Sequence, residues 1–314
     1  MRFVPLLVLA LGCAVDESPT WSFAVLPDTQ IAVRDQPELM EAQTAWLASQ
    51  ADEGLRFVLH VGDITDHNDA PEWDRAERAL RRMDGRVPYV LLPGNHDYGE
   101  AGGAFDRTTH LGERFPLDEW ETQPSFGGAS RPDRPDSTYH VFETPEGPWL
   151  VLALEFAPTE DTVSWAAGIL QRHASLPAIL VTHAYLYFDD TRYDAAIEGQ
   201  RWAPGSYPLA FDEPVYDGQA LFDALVEPYP NVLLVFCGHT LGDGLARIST
   251  RRADGSYVHE ILANYQHRPN GGDGYLRIVE VSEEAFRVRT YSPPRDRSYR
   301  DPDNEFVLLR NEEF

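Results

Sequence analysis

Lysine is missing from this chain; all 26 of its basic residues are arginines. That excludes a lysine nucleophile, a lysine Schiff base and the lysine of a phosphate-cradling Walker loop. No Gly-x-Ser-x-Gly elbow occurs either, so serine-hydrolase chemistry has no signature here. Positive charge is scarce overall: 51 acidic residues stand against 26 basic ones, a formal charge of −25. So acidic a surface repels a phosphate backbone at long range, and no basic run offsets it, so duplex nucleic acid is not an expected partner. Cysteine is limited to Cys13 and Cys237. The second lies inside Val232-Leu233-Leu234-Val235-Phe236-Cys237, the setting of a small buried hydrophobe, and no disulfide is expected. What is present suffices for a sizeable core: 314 residues, 43% hydrophobic and 11% aromatic.

Met1-Arg2 precede an apolar run from Phe3 to Gly12, too short to span a bilayer and of the length of a signal-peptide core. With Leu11-Gly12 ahead of Cys13, and Ala10 where leucine is usual, it resembles a bacterial lipoprotein signal. An ordinary cleaved secretory peptide and a plain N-terminal strand are the alternatives. The resemblance implies a signal peptide over 1–12, a tether over 13–20, and export to the periplasmic or cell-surface face of a bacterial membrane, held there by lipid on Cys13.

From 21 to 314 a single folded domain is expected, with strands and helices alternating at first. Ser22–Leu26, Phe57–Val61, Val87–Leu92, Trp149–Leu154, Ala178–Val181 and Val232–Phe236 are aliphatic runs of strand length. Leu39, Gln43, Trp46, Leu47 and Gln50, and again Trp73, Ala76, Leu80 and Met83, repeat at helical spacing, and Leu221, Phe222 and Leu225 mark a further helix. Beyond Gly244 the pattern holds strands alone. Residues 98–136 and 185–218 are the longest irregular stretches, and loops of that length are usually functional or disordered.

Five apolar runs end in polar ligands: Asp28-Thr29-Gln30, Gly62-Asp63, Gly94-Asn95-His96-Asp97, Thr182-His183 and Gly238-His239. In open α/β sheets the ligand crevice lies beyond the carboxyl ends of the strands, so these groups are expected to converge. Carboxylates, imidazoles and an amide brought together describe a metal site, and Asp63 is the natural bridge between two cations. Asn95, His183 and His239 complete the ligands of one ion. His96 follows a ligand and need not be one; a protonated ring there can stabilise phosphoryl oxygens and protonate a leaving group. Asp97 is expected to hold that ring in its protonated form.

This order of motifs resembles that of the calcineurin-like metallophosphoesterases, D-x-H, G-D, G-N-H-D, a separate H and G-H-x-H, from Trp21 to about Thr290. The resemblance implies an α/β fold, a four-layer αββα sandwich. It also implies two divalent ions (Mn, Fe, Mg or Zn) and hydrolysis of small-molecule phosphomonoesters or phosphodiesters with a metal-activated water. Two positions depart from the pattern: Gln30 and Leu241 stand where the family carries histidines. Asp28, Gln30 and Asp63 thus form a first site poor in nitrogen and tilted toward Mn²⁺ or Mg²⁺, while Asp63, Asn95, His183 and His239 fill the second. Asp243, Asn264 or Gln266 could complete the first.

Other residues carry weaker signals. His60, within a strand, suits the core or a hydrogen bond that orients a ligand. Glu155 suits a strand end, and the aromatics Tyr185, Tyr187, Phe188, Tyr193 and Trp202 either wall a pocket or pack their loop. Arg192, in the loop after His183, is the candidate phosphate clamp. Against an enzyme stands a metal-binding, catalytically weak or inactive ligand-binding protein on the same fold; a structural surface protein would need none of the five ligand groups.

Overall fold

The computed structural model describes residues 20–211 and 213–311; the signal-like run and Cys13 lie outside them. A first sheet is opened by β1 (Trp21–Leu26), which pairs in parallel with β2 (Leu55–His60), itself parallel to the short β3 (Tyr89–Val90). Of the expected strand over 87–92, only those two residues join the ladder. The second sheet holds β4 (Phe126–Arg131), β5 (Arg134–Thr144), β6 (Gly147–Leu154), β7 (Ala178–Thr182), β8 (Val232–Cys237), β9 (Leu245–Arg251) and β10 (Tyr257–Ala263), in the order β4-β5-β6-β7-β8-β10-β9. Its centre, β6-β7-β8-β10, is parallel. The chain then returns to the first sheet with β11 (Leu276–Val281), antiparallel to β1, followed by β12 (Ala285–Ser292), β13 (Arg297–Tyr299) and β14 (Glu305–Leu309).

Strand periodicity explains why these sheets stack. Successive side chains face opposite sides, so Phe23 and Val25 of β1 enter the core between the sheets while Ala24 and Leu26 face outward. Phe57 and Leu59 of β2 do the same and meet Val151, Val181, Leu234 and Phe236 of the second sheet. Both outer faces are apolar as well and are covered by helices. Val33 of α1 (Gln30–Asp35), Met40 and Leu47 of α2 (Pro37–Ser49) and Trp73, Ala76 and Leu80 of α3 (Ala70–Leu80) cover the first sheet. Val163, Ile169 and Leu170 of the helix Glu160–Arg172, with Leu221 and Leu225, cover the second. The result is the expected αββα sandwich. No described helix is long and apolar enough to cross a membrane.

The irregular stretch expected over 98–136 contains the β4 edge strand and the start of β5. Gly127, Gly128 and Ser130 leave β4 without apolar alternation, so periodicity does not reveal it. The helix Glu160–Arg172 was also missed, although the spacing of Val163, Ala166, Ile169 and Leu170 encodes it.

Candidate metal centre

All five ligand groups sit just past the carboxyl ends of β1, β2, β3, β7 and β8, and the stacked sheets bring these ends together. After β2 the chain must turn within two residues to aim Asp63 inward. Gly62 does this at φ +95°, and a Cβ there would also come within 2.8 Å of His183 Nδ1. Four acceptors then meet. Asp63 Oδ1 lies 3.1 Å from His183 Nε2, which is 3.2 Å from Asn95 Oδ1 and 3.2 Å from His239 Nδ1.

Hydrogen bonds behind the rings fix their tautomers. His183 Nδ1 donates to the Val61 carbonyl at 2.8 Å, and His239 Nε2 donates to the Trp202 carbonyl at 2.8 Å. Carbonyls only accept, so each outer nitrogen carries a proton and each ring, when neutral, presents its lone pair inward. Two imidazole lone pairs, a carboxylate and an amide oxygen therefore face one another, an arrangement that repels itself unless positive charge enters. The electrostatics show the same demand. Burial works against a charged His183, but the Asp63 carboxylate outweighs it and pushes the ring up to about 9; burial and then His183 push His239 down to about 3. The donor set fits a divalent cation.

Beside this cluster lies an oxygen-only set. Asp28 Oδ2 and Gln30 Oε1 are buried with no hydrogen-bond partner among the described residues. Their other atoms are committed: Asp28 Oδ1 accepts the His239 N–H at 2.9 Å, and Gln30 Nε2 donates to Asp63 Oδ2 at 2.9 Å. Burial, and the Asp63 charge against the pull of His183, push the Asp28 carboxyl up to about 7. Two orphan oxygens next to Asp63 fit a hard cation that prefers oxygen. Of the residues considered to complete that set, Gln266 lines the same pocket, and Asn264 accepts the Gln266 N–H at 3.0 Å. Asp243 accepts the Leu245 N–H at 3.1 Å and lines a different pocket.

His96 lines the pocket over the cluster, half-exposed. Its Nδ1 donates to the Asp66 carbonyl at 2.9 Å and lies 3.4 Å from Asp66 Oδ1. Burial disfavours its charge, yet Asp63, Asp66 and Asp97 together raise its pKa. The ring-holding role expected of Asp97 belongs instead to Asp66. Asp97 is buried and its oxygens are taken by loop backbone: the N–H groups of Gly94 and Ile64 at 2.9 Å, and the N–H and hydroxyl of Thr65 at 2.8 Å. It ties the Asp63 loop to the Asn95 turn and reaches His96 only through its field. Asp66 is in turn braced from α3, where Glu72 accepts the Asp66 and His67 N–H groups at 2.8 Å.

Arg192 is likewise corrected. Its Nε and Nη2 each bind Glu260 at 2.6 Å, Nη2 reaches Thr250 at 2.6 Å, and the guanidinium stacks 3.6 Å from the Phe222 ring centre. The buried Glu260 carboxylate claims it, and it is not a phosphate clamp. His60 is a brace: its Nδ1 accepts the Gly62 N–H at 3.2 Å, which leaves Nε2 to donate to Thr29 Oγ1 at 3.0 Å. Glu155 is fully buried among Tyr98, Thr162, Arg107 and Arg131. Trp202 lines the pocket, whereas Tyr187 and Tyr193 pack the loop. Tyr207, also in the lining, was missed because only the path of a long loop brings it there.

The sequence matches the family model of the calcineurin-like phosphoesterases over residues 22–243. The chain belongs to that family. It is 29% identical over 294 residues to the uncharacterized protein YvnB of Bacillus subtilis (strain 168), covering 90% of this chain and 21% of that protein. This chain thus spans about a fifth of that relative's length. Among solved structures it resembles purple acid phosphatase PPD1 from yellow lupin (Lupinus luteus) seeds, with TM-score 0.55, 13% identity, and 93% of this chain and 54% of that one covered. GAP50, the anchor in the inner membrane complex of Plasmodium, gives TM-score 0.48 and 13% identity over 94% and 89%. At such identity the lupin likeness is one of fold.

Proposed function

We propose that this protein hydrolyses small-molecule phosphoesters with two divalent ions. One is held by Asp63, Asn95, His183 and His239; the other, held by Asp28, Gln30 and Asp63, binds more weakly. The observation that carries this is the convergence of four lone-pair donors with both histidine tautomers fixed toward the centre. A divalent ion bound there supplies Lewis acidity to the phosphoryl oxygens and to the attacking water. The protein's own groups do the rest. With Nδ1 committed to Asp66, a protonated His96 has Nε2 free to donate to a phosphoryl oxygen or to the leaving oxygen. Asp66, braced by Glu72, holds the ring in place, and Asp97 fixes the spacing of the two loops that carry Asp63 and Asn95.

The test is metal depletion followed by assay of bis-p-nitrophenyl phosphate and p-nitrophenyl phosphate. Turnover should vanish with chelator, return with Mn²⁺, and fail to return in Asp63→Asn or His239→Ala protein. Tight metal binding without turnover of either reporter would favour the ligand-binding alternative. For the N-terminus we propose lipidation of Cys13 on the periplasmic or cell-surface face of a bacterial membrane. Detergent-phase partitioning of the full-length protein, lost in Cys13→Ala, is the expected result.

A further inference from the structure

The pocket over the metal donors has a volume of about 160 Å³. No arginine is among its lining residues in the described part of the chain, and the whole sequence has no lysine. Arg34, the basic side chain bound to the lining residue Asp66, is already spent, at 2.5 Å on Asp66 and 2.6 Å on Asp35. The basic side chains of the described lining are the imidazoles of His96, His239 and His267, set against the carboxylates of Asp63 and Asp66. The remaining walls are neutral. Ile31, Leu241 and Trp202 supply apolar surface from three separate segments, and Tyr207 and Gln266 supply uncharged donors.

A phosphomonoester near neutral pH is a dianion whose oxygens call for guanidinium or ammonium partners beyond the metal. A phosphodiester is a monoanion with a second organic arm in place of one charged oxygen. Its demand for cations is smaller, and the arm needs apolar contact. We propose that the pocket selects phosphodiesters over phosphomonoesters, with Leu241 and Ile31 as specificity-determining walls. This rests on the phosphoesterase reading above. In the reaction one ester P–O bond breaks as a P–O bond to water's oxygen forms. The leaving oxygen takes up a proton, and the products are an alcohol and a monoester. That monoester is the species the pocket holds poorly, which favours its release.

The experiment compares kcat/KM for bis-p-nitrophenyl phosphate and p-nitrophenyl phosphate on Mn²⁺-supplemented protein. The diester should be preferred by at least about tenfold, and Leu241→Arg should move the ratio toward the monoester by about tenfold, as expected for one added short-range charge contact. Ile31→Arg is the second variant; both positions are half-buried in the pocket lining. Calorimetry at mildly alkaline pH runs in parallel with phenylphosphonate, a dianion, and its methyl ester, a monoanion. The arginine variants should gain affinity for the dianion and little for the ester. Equal or faster monoester turnover by the parent protein overturns the proposal, as does an equal gain for both phosphonates. If neither reporter turns over, the phosphoesterase reading fails and the calorimetric comparison still decides the selectivity.

Discussion

His183 and His239 each give one proton to a backbone carbonyl and one lone pair to the cluster, so the residues behind the site matter as much as those in it. Their positions were readable because each ligand directly follows an apolar strand. Asp66 and Tyr207 were not, because a loop's path, and no periodicity, decides what it approaches. Two outcomes follow at this scale. His96→Ala should lower kcat by about 10²–10⁴-fold with bound metal unchanged, since its ring touches none of the four donor atoms; loss of metal in that variant would make it a ligand. Gln30→His replaces an amide oxygen with an imidazole at the weaker site. Elemental analysis should show bound metal rising toward a second tight equivalent, and an unchanged content would remove Gln30 from the ligand set.

Among elements, α3 has the clearest reach into the site. Asp69 caps it by accepting the Glu72 N–H at 2.9 Å, and Glu72 then turns back to hold the 66–67 backbone. Glu72→Ala leaves two buried-side N–H groups unpaired. It should cost about 1–3 kcal/mol in denaturant melts and lower kcat, while a Glu72→Gln protein, which keeps an acceptor, recovers part of both. Arg192 belongs to a different element pair, linking its loop to β10 through Glu260. Arg192→Ala strands a fully buried carboxylate and should destabilise by about 3–5 kcal/mol. KM for the diester reporter should hold; a large rise in KM with little loss of stability would restore the clamp. The sandwich itself was legible from strand-length apolar runs, whereas the β4 edge, half-exposed and glycine-rich, had no such pattern to show.

At the scale of the whole molecule, acid sensitivity is built into the core. Burial holds the His140 pKa down at about 3 and that of His259 at about 4, against 6.5 for an ordinary ring. Both are neutral when folded and take up protons only on unfolding at low pH. Their stabilisation is therefore complete above about pH 6.5 and is lost as pH falls toward those values, by about 1.4 kcal/mol per pH unit for each ring. A His140→Gln, His259→Gln protein should show a shallower loss of stability between pH 6.5 and 4; an identical slope would place the acid sensitivity elsewhere. Net charge of −25 adds self-repulsion that protonation of carboxylates relieves, a trend of opposite sign.

The most direct measurement is anomalous diffraction from crystals of the protein purified with its native metal. The strongest anomalous peak should lie among Asp63 Oδ1, Asn95 Oδ1, His183 Nε2 and His239 Nδ1, with any weaker peak toward Asp28 and Gln30. A peak confined to the other potential cluster, Asp66, His67 and Glu72, or a stronger ion on the Asp28 side, would contradict the assignment of the intact site.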